Sequence, residues 1–219
     1  MDFSKKSVET GTTLNFAKDF GASATSSVLS FNLDWETRGN ASVDLDAMLL
    51  IEDRNGRPVI QKGSKPSLIG RMFGKKPTPD KVVSKSKWED FIYFGKLHGH
   101  GVVHHGDDLT GSVVGGEFIQ VDLDRLPSQA TTMTFAVYSY SGDKFSDLPS
   151  ASMRIFEGTP TRPLRGLMDY NLTQFRRSTR AVVMAQVVKN PQGEWEVTTL
   201  ANESDVSSVE RVRQLCRGT

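Results

Sequence analysis

Segments in which apolar and polar residues alternate recur along this 219-residue chain. In residues 29–35 and 43–51, every second side chain is apolar. This period of two is typical of a β-strand that buries one face, whereas an amphipathic helix would repeat about every 3.6 residues. Further segments of this kind occur at 91–94, 117–123, 132–140, 151–156, 180–188 and 194–199. The sequence therefore predicts an all-β fold, an antiparallel β-sandwich.

Turn-forming residues separate the predicted strands, and the C-terminal end differs from the rest. The Asn-Gly pair within 53–56 and the sequence KNPQG at 189–193 both favour tight reversals. Residues 207–215 instead show helical spacing, with one apolar stripe. Ser207 stands three residues before Glu210, which is the spacing of a capping box. We therefore predict one short C-terminal helix whose apolar stripe consists of Val206, Val209, Val212 and Leu215.

Length and composition favour one domain over the whole chain, residues 1–219. No run of about 18 apolar residues is present, and the N-terminal segment lacks the apolar core of a secretory signal. The single cysteine, Cys216, excludes an internal disulfide. These features predict a cytoplasmic protein. Aromatic and basic residues do not interleave, so no nucleic acid partner is predicted.

Residues 61–87 interrupt the run of predicted strands. They contain three prolines, three glycines, eight lysine or arginine residues and one aspartate, for a net charge of +7 in a chain whose total is +1. We predict a long, flexible, basic loop inserted within the domain. Its apolar residues lie beside cations, which leaves open a membrane-surface adaptor that contacts anionic lipid through this loop.

Two acidic segments are candidates for a metal site. Asp44 and Asp46 are two positions apart, so on a strand their side chains leave the same face, roughly 6.5 to 7 Å apart. Residues 106–117 contain Asp107, Asp108 and Glu117 among glycines that allow carbonyl groups to turn inward. Calcium takes about six to eight oxygen ligands of these kinds. The residues alone do not decide between a metal site and a solvated strand end beside an ordinary turn.

The four histidines of the chain lie within eight residues and offer a different chemistry. If the segment is a strand, His98 and His100 share a face. Imidazole nitrogens with a nearby carboxylate suit zinc, so a zinc-dependent hydrolase using His98, His100, His104 and His105 is the enzymatic alternative. Exposed histidines without a metal are the other interpretation.

The order of the motifs resembles the TerD family of tellurium-resistance and stress-response proteins. NLDWE (32–36) precedes DLDA (44–47), and an aromatic strand leads into HHGDDLTG (104–111) and EFIQVDLDRLP (117–127). The segments at 8–16, 134–140, 151–156 and 178–197 are similar to other strands of the family. The resemblance covers about residues 8–200, apart from the basic insertion.

This resemblance implies a TerD-like β-sandwich that binds one or two calcium ions and has no catalytic activity. It also implies a role in tellurite or general stress resistance, with partners among the other proteins of that system, some of them membrane-associated. Carried over by position, the implied carboxylate ligands are Asp44, Asp46, Asp107, Asp108 and Glu117, and the implied carbonyl ligands are Leu109 and Gly111.

Overall fold

The computed structural model describes residues 13–15, 27–38, 42–59, 91–99, 101–111 and 116–218. The predicted loop 61–87 lies outside them. Short strands pair antiparallel throughout, as the alternating segments predict. The described strands are β1 (Thr13–Asn15), β2 (Val28–Glu36), β3 (Leu45–Glu52), β4 (Phe91–Ile92), β5 (His98–Gly99), β6 (Val102–His104), β7 (Glu117–Asp122), β8 (Thr132–Ser139), β9 (Ser150–Thr159), β10 (Arg162–Asn171), β11 (Ala181–Lys189) and β12 (Trp195–Ser204).

The strands form two six-stranded sheets. Sheet A has the order β1-β12-β11-β8-β3-β4, and sheet B has the order β10-β9-β2-β7-β6-β5. Short 3-10 helical turns at Leu123–Arg125, Phe145–Asp147 and Leu172–Gln174 follow or precede strands. Within the described residues one α-helix, α1 (Val209–Arg217), follows β12. The all-β class and the short C-terminal helix are thus confirmed. No helix within the described ranges is long and apolar enough to cross a membrane.

The main hydrophobic core lies between the two sheets. Every second side chain of β2 enters it, from Leu29 to Trp35, as the period of two predicts. The matching face of β3 meets it from sheet A, with Leu45, Leu49 and Ile51 fully buried. Burial of such side chains stabilises the fold by about 1.5 to 3 kcal/mol each.

The opposite face of β3 is also buried, which the half-buried interpretation of this strand misses. Met48 and Leu50 pack in a second cluster with Tyr138 of β8. Helix α1 covers this cluster with Val212 and Cys216. Sheet A therefore packs against hydrophobic core on both of its faces near β3. Every residue of β3 is buried.

Helix α1 confirms the predicted apolar stripe but not its predicted cap. Val212 is buried, and Val206, Val209 and Leu215 pack partly buried against the second cluster. The helix begins after Ser208, whose side chain makes no capping hydrogen bond. The capping box predicted from Ser207 is therefore wrong. At the other end, Arg217 Nε donates to Glu52 Oε1 at 3.1 Å, and this ion pair ties the helix to the end of β3.

Both predicted reversals are confirmed, but the alternation did not predict four of the described strands, namely the short β1, β5 and β6 and the longer β10. At the first reversal, Gly56 adopts a φ of 67° and its N–H donates to the carbonyl of Asp53. Strand β10 was missed because it is an edge strand of sheet B with two register shifts, at Pro163/Arg165 and Gly166/Met168. Each shift breaks the alternation on which the prediction rests.

Candidate metal site

Three aspartates that are distant in sequence meet at one place in the structure. Asp44, Asp46 and Asp107, here called the aspartate cluster, each offer a carboxylate oxygen, and these oxygens lie within 4.8 Å of one another. Asp46 is buried, Asp44 is half-buried and Asp107 is exposed, so the cluster opens to solvent on one side. Among the described residues this is the only group of three or more such side chains close enough to hold a metal ion.

The start of β3 carries two members of the cluster, and β8 fixes its position. Asp46 lies directly opposite Tyr138 in the antiparallel pairing. Just before the strand, the Asp44 carbonyl accepts a hydrogen bond from Tyr140 N at 2.9 Å, and Asp44 N donates to Ser141 Oγ at 3.1 Å. Backbone bonds therefore hold both aspartates in place, independent of their own carboxylates.

The loop that carries Asp107 is held by polar contacts and a glycine. Asp108 Oδ1 accepts from Thr110 N at 3.0 Å and from Thr110 Oγ1 at 3.2 Å, which closes a local turn. Gly111 has a φ of 63°, and a Cβ there would lie 2.5 Å from Trp35 Nε1. The loop thus packs its backbone against the buried tryptophan of β2, which requires glycine.

Glu117, at the start of β7, is buried behind the cluster. Its Oε2 accepts from Ala47 N at 2.9 Å, and its Oε1 accepts from Asp108 N at 3.1 Å. His104 Nε2 lies 3.6 Å from the same Oε2. Both carboxylate oxygens of Glu117 are therefore already used by backbone N–H groups.

The carboxyl groups of the cluster are poorly compensated without a cation. Burial, followed by repulsion from Asp107 and Asp108, raises the pKa of Asp44 to about 6. Burial and the Asp44 charge raise the pKa of Asp46 to about 8. The hydroxyl of Tyr138 opposes this rise, although it falls short of a well-formed hydrogen bond. Burial also raises the pKa of Asp107 and brings that of Glu117 to about 9.

Unsatisfied oxygens show that the cluster fits a cation. Within the described residues, Asp44 Oδ1 and Asp46 Oδ2 are buried and have no hydrogen-bond partner. A buried carboxylate oxygen without a partner costs free energy, and no arginine or lysine pairs with either oxygen in the described part of the chain. A metal ion would satisfy both oxygens and offset the repulsion among the three carboxylates. The arrangement can therefore hold a metal ion.

The structure places the predicted ligands in two groups. Asp44, Asp46 and Asp107 converge, whereas the carboxylates of Asp108 and Glu117 accept hydrogen bonds from the loop and from β3. Of the predicted carbonyl ligands, that of Leu109 accepts from Ser42 Oγ at 3.1 Å. That Tyr138 is the neighbour of Asp46 could not be predicted, because alternation alone does not determine strand order.

The described histidines occupy separate environments. His98 is exposed, and His105 is exposed beside Gln120, with 3.3 Å between His105 Nε2 and Gln120 Oε1. His104 is buried, and its Nδ1 accepts from Gly106 N at 3.3 Å. Burial lowers the pKa of His104 to about 4, so it is neutral. These three do not join a metal-binding group in the described part of the chain, and His100 lies outside it.

Comparison with known proteins agrees with the fold and the order of motifs. Residues 79–207 match the model of the TerD domain. This match includes the loop of Asp107, whereas Asp44 and Asp46 precede it. The chain is 34% identical to the tellurium resistance protein TerZ of Serratia marcescens over 154 residues, which span 66% of this chain and 75% of TerZ.

More distant relatives extend this picture. The stress response protein SCP2 of Bacillus subtilis (strain 168) is 25% identical over 57% of this chain and 64% of its own length. A solved structure of a homologue of the telluride resistance protein TerD, from Streptomyces coelicolor A3(2), superposes with a TM-score of 0.62 at 15% identity and covers 84% of this chain and 94% of its own. Matches of this extent, with the family model over more than half of the chain, show that the chain belongs to the TerD domain family.

Proposed function

We propose that this protein binds calcium through the aspartate cluster and serves as a non-catalytic interaction module in tellurite or general stress resistance. One observation carries the proposal: the buried Asp46 Oδ2, which has no partner among the described residues, belongs to the group in which three carboxylates approach within 4.8 Å. Such an arrangement costs free energy in the absence of a cation, because like charges repel and burial disfavours each of them.

The donor set favours calcium over other ions. Hard oxygen ligands from carboxylates, carbonyls and water suit calcium, which tolerates irregular coordination of six to eight ligands. Magnesium requires near-ideal octahedral geometry and keeps its waters, and zinc prefers nitrogen and sulfur donors. Asp44, Asp46 and Asp107 would supply the carboxylates, and carbonyls such as that of Gly111 with water would complete the shell. A second ion remains a prediction of the family resemblance.

The role in resistance is supported by what the relatives are called. TerZ is named a tellurium resistance protein and SCP2 a stress response protein. We infer that this chain acts in the same kind of response in the cytoplasm and that its partners are other proteins of that system. The cluster would then make partner binding depend on calcium.

The direct test is calorimetric titration of chelator-stripped protein with calcium, magnesium and zinc. We expect selective calcium binding with a stoichiometry of one or two, and loss of the cluster site in the double variant Asp46→Asn with Asp107→Asn. The matched control is Asp124→Asn with Asp205→Asn, which changes two exposed aspartates outside the cluster and removes the same formal charge.

Two outcomes would contradict the proposal. Unchanged calcium affinity in the cluster variant would exclude this site, and absence of calcium binding in the wild-type protein would exclude the function. Zinc binding near one equivalent that is lost on His98→Ala with His100→Ala would favour the zinc-dependent hydrolase instead.

A further inference from the structure

We propose that Glu117 is a positioning residue that holds the two halves of the metal site together and is not itself a metal ligand. This inference rests on the proposed calcium site and departs from the ligand role that the family resemblance implies for Glu117. It is carried by the two backbone hydrogen bonds that the carboxylate accepts and by its complete burial.

Glu117 accepts hydrogen bonds from two residues, and each of them directly follows an aspartate of the cluster in the chain. Ala47, whose N–H donates to Oε2, comes directly after Asp46, and Asp108, whose N–H donates to Oε1, comes directly after Asp107. One carboxylate therefore fixes two peptide groups, each adjacent to a cluster residue.

These contacts cross the sandwich. Glu117 belongs to β7 of sheet B, where it lies opposite Leu33 of β2, whereas Ala47 belongs to β3 of sheet A. The loop of Asp107 also follows a strand of sheet B, since it leaves β6 after His104. The aspartate cluster is thus assembled from both sheets, and Glu117 joins them at this point.

The Ala47 N–H needs this acceptor because the neighbouring strand is too short to supply one. β4 pairs only with Leu49 and Leu50, so Ala47 lies beyond the paired part of this edge of β3. A buried N–H without an acceptor is destabilising, because it loses its hydrogen bond to water and gains none in return. The carboxylate of Glu117 replaces the missing ladder partner and thereby fixes the direction in which Asp46 leaves the strand.

Burial and neighbours separate Glu117 from the open side of the cluster. Its side chain has no solvent exposure, and the buried ring of His104 lies against Oε2. The group of mutually close carboxylate oxygens contains Asp44, Asp46 and Asp107 but not Glu117. A ligand role would require Glu117 to give up contacts that hold the other ligands in place.

The test compares Glu117→Gln with Asp107→Ala, using europium(III) as a luminescent substitute for calcium. Decay rates in H₂O and D₂O give the number of water molecules on the bound ion. In Glu117→Gln an amide NH₂ replaces one of the two oxygens that accept a backbone N–H, so one of these hydrogen bonds is lost. We therefore expect the affinity for the ion to fall about tenfold or more, while the number of water molecules on the bound ion stays unchanged. Removal of a true ligand in Asp107→Ala should lower affinity and add about one water.

A rise in the water number of Glu117→Gln, similar to that of Asp107→Ala, would show that Glu117 is a ligand and overturn the inference. Failure of the wild-type protein to bind europium and calcium would overturn the proposed function, and the inference with it. The two failures are therefore distinguishable.

A second measurement uses only the wild-type protein, in case Glu117→Gln does not fold. In chelator-treated protein, the Ala47 and Asp108 amides should exchange slowly with solvent in nuclear magnetic resonance spectra, because each donates to Glu117. The exchange rate of the Thr110 amide, which donates to Asp108 in the same loop, is the reference against which these two exchange rates are compared. Free exchange of either the Ala47 or the Asp108 amide would contradict the positioning role.

Discussion

Replacement of Asp46 by asparagine is expected to change the stability of the metal-free and the calcium-loaded protein in opposite directions. In the metal-free protein, burial and the Asp44 charge raise the pKa of Asp46 from 3.8 to about 8. Between these two pH values the unfolded chain releases the proton while the folded chain retains it. The carboxyl group therefore lowers the free energy of unfolding increasingly as the pH rises from about 4 to about 8.

The size of this effect follows from the two pKa values. At pH 7, retention of a proton that the unfolded chain would lose costs about 4 kcal/mol. Asparagine removes this cost but buries an amide whose hydrogen bonds are incompletely satisfied, which costs about 2 kcal/mol. The metal-free Asp46→Asn variant should therefore be more stable than wild type by about 2 kcal/mol at pH 7, or about 4 to 8 °C in melting temperature.

Urea denaturation in chelator at pH 7 and pH 4 is the assay. At pH 4 the unfolded chain ionises this carboxyl group only partly, so the penalty of retaining the proton falls below about 1 kcal/mol. The amide cost then outweighs it, and the variant should be the less stable of the two. Saturating calcium should stabilise wild type and leave the variant nearly unchanged. The exposed Asp205→Asn variant is the control. If Asp46→Asn is equally destabilised at both pH values, the carboxyl group is not penalised and the reasoning fails.

Three further predictions concern the structure around the cluster and the helix. Burial raises the pKa of the Cys216 thiol to about 12, so iodoacetamide should modify the native protein about a thousandfold more slowly than the urea-unfolded chain; equal rates would contradict its burial. Gly111→Ala should destabilise the protein by about 2 kcal/mol and change the Trp35 fluorescence, because φ is 63° and the Cβ would meet the indole; an unchanged urea midpoint would exclude this contact. Val212→Ala should cost about 2 kcal/mol and accelerate Cys216 modification, whereas Gln214→Ala on the exposed side should change neither; equal effects of the two substitutions would disprove the helix orientation.

The sequence predicts best those elements whose burial has a simple period. β2 is the clearest case, because one face meets the core and alternation shows that face directly. β3 has a nearly continuous apolar run at 47–51, and this signal of a strand buried on both faces was available in the sequence. The run does not indicate that helix α1 is the element that buries the second face of β3.

The candidate site is only partly readable from the sequence, for a physical reason. The acidic residue types and glycines that can hold a cation are visible as motifs, and the family resemblance groups them. The role argued for Glu117 depends on which backbone N–H groups the sandwich brings to it, namely those of Ala47 and Asp108, which are 61 residues apart in the chain. Backbone groups carry no sequence signal, so such a contact becomes evident only when the sheets are assembled.

The positions of Val59 and Phe91, which flank residues 60–90, have a consequence for protein engineering. The chain departs after the reversal that follows β3 and returns at Phe91, opposite Leu50, near the end of β3 that carries Glu52. Asp46 lies six residues back along the strand, roughly 20 Å away. Because the entropy of connecting two fixed points of a chain grows only slowly with the length between them, sequence inserted between Val59 and Phe91 should cost little. A fluorescent tag placed there would leave the aspartate cluster undisturbed.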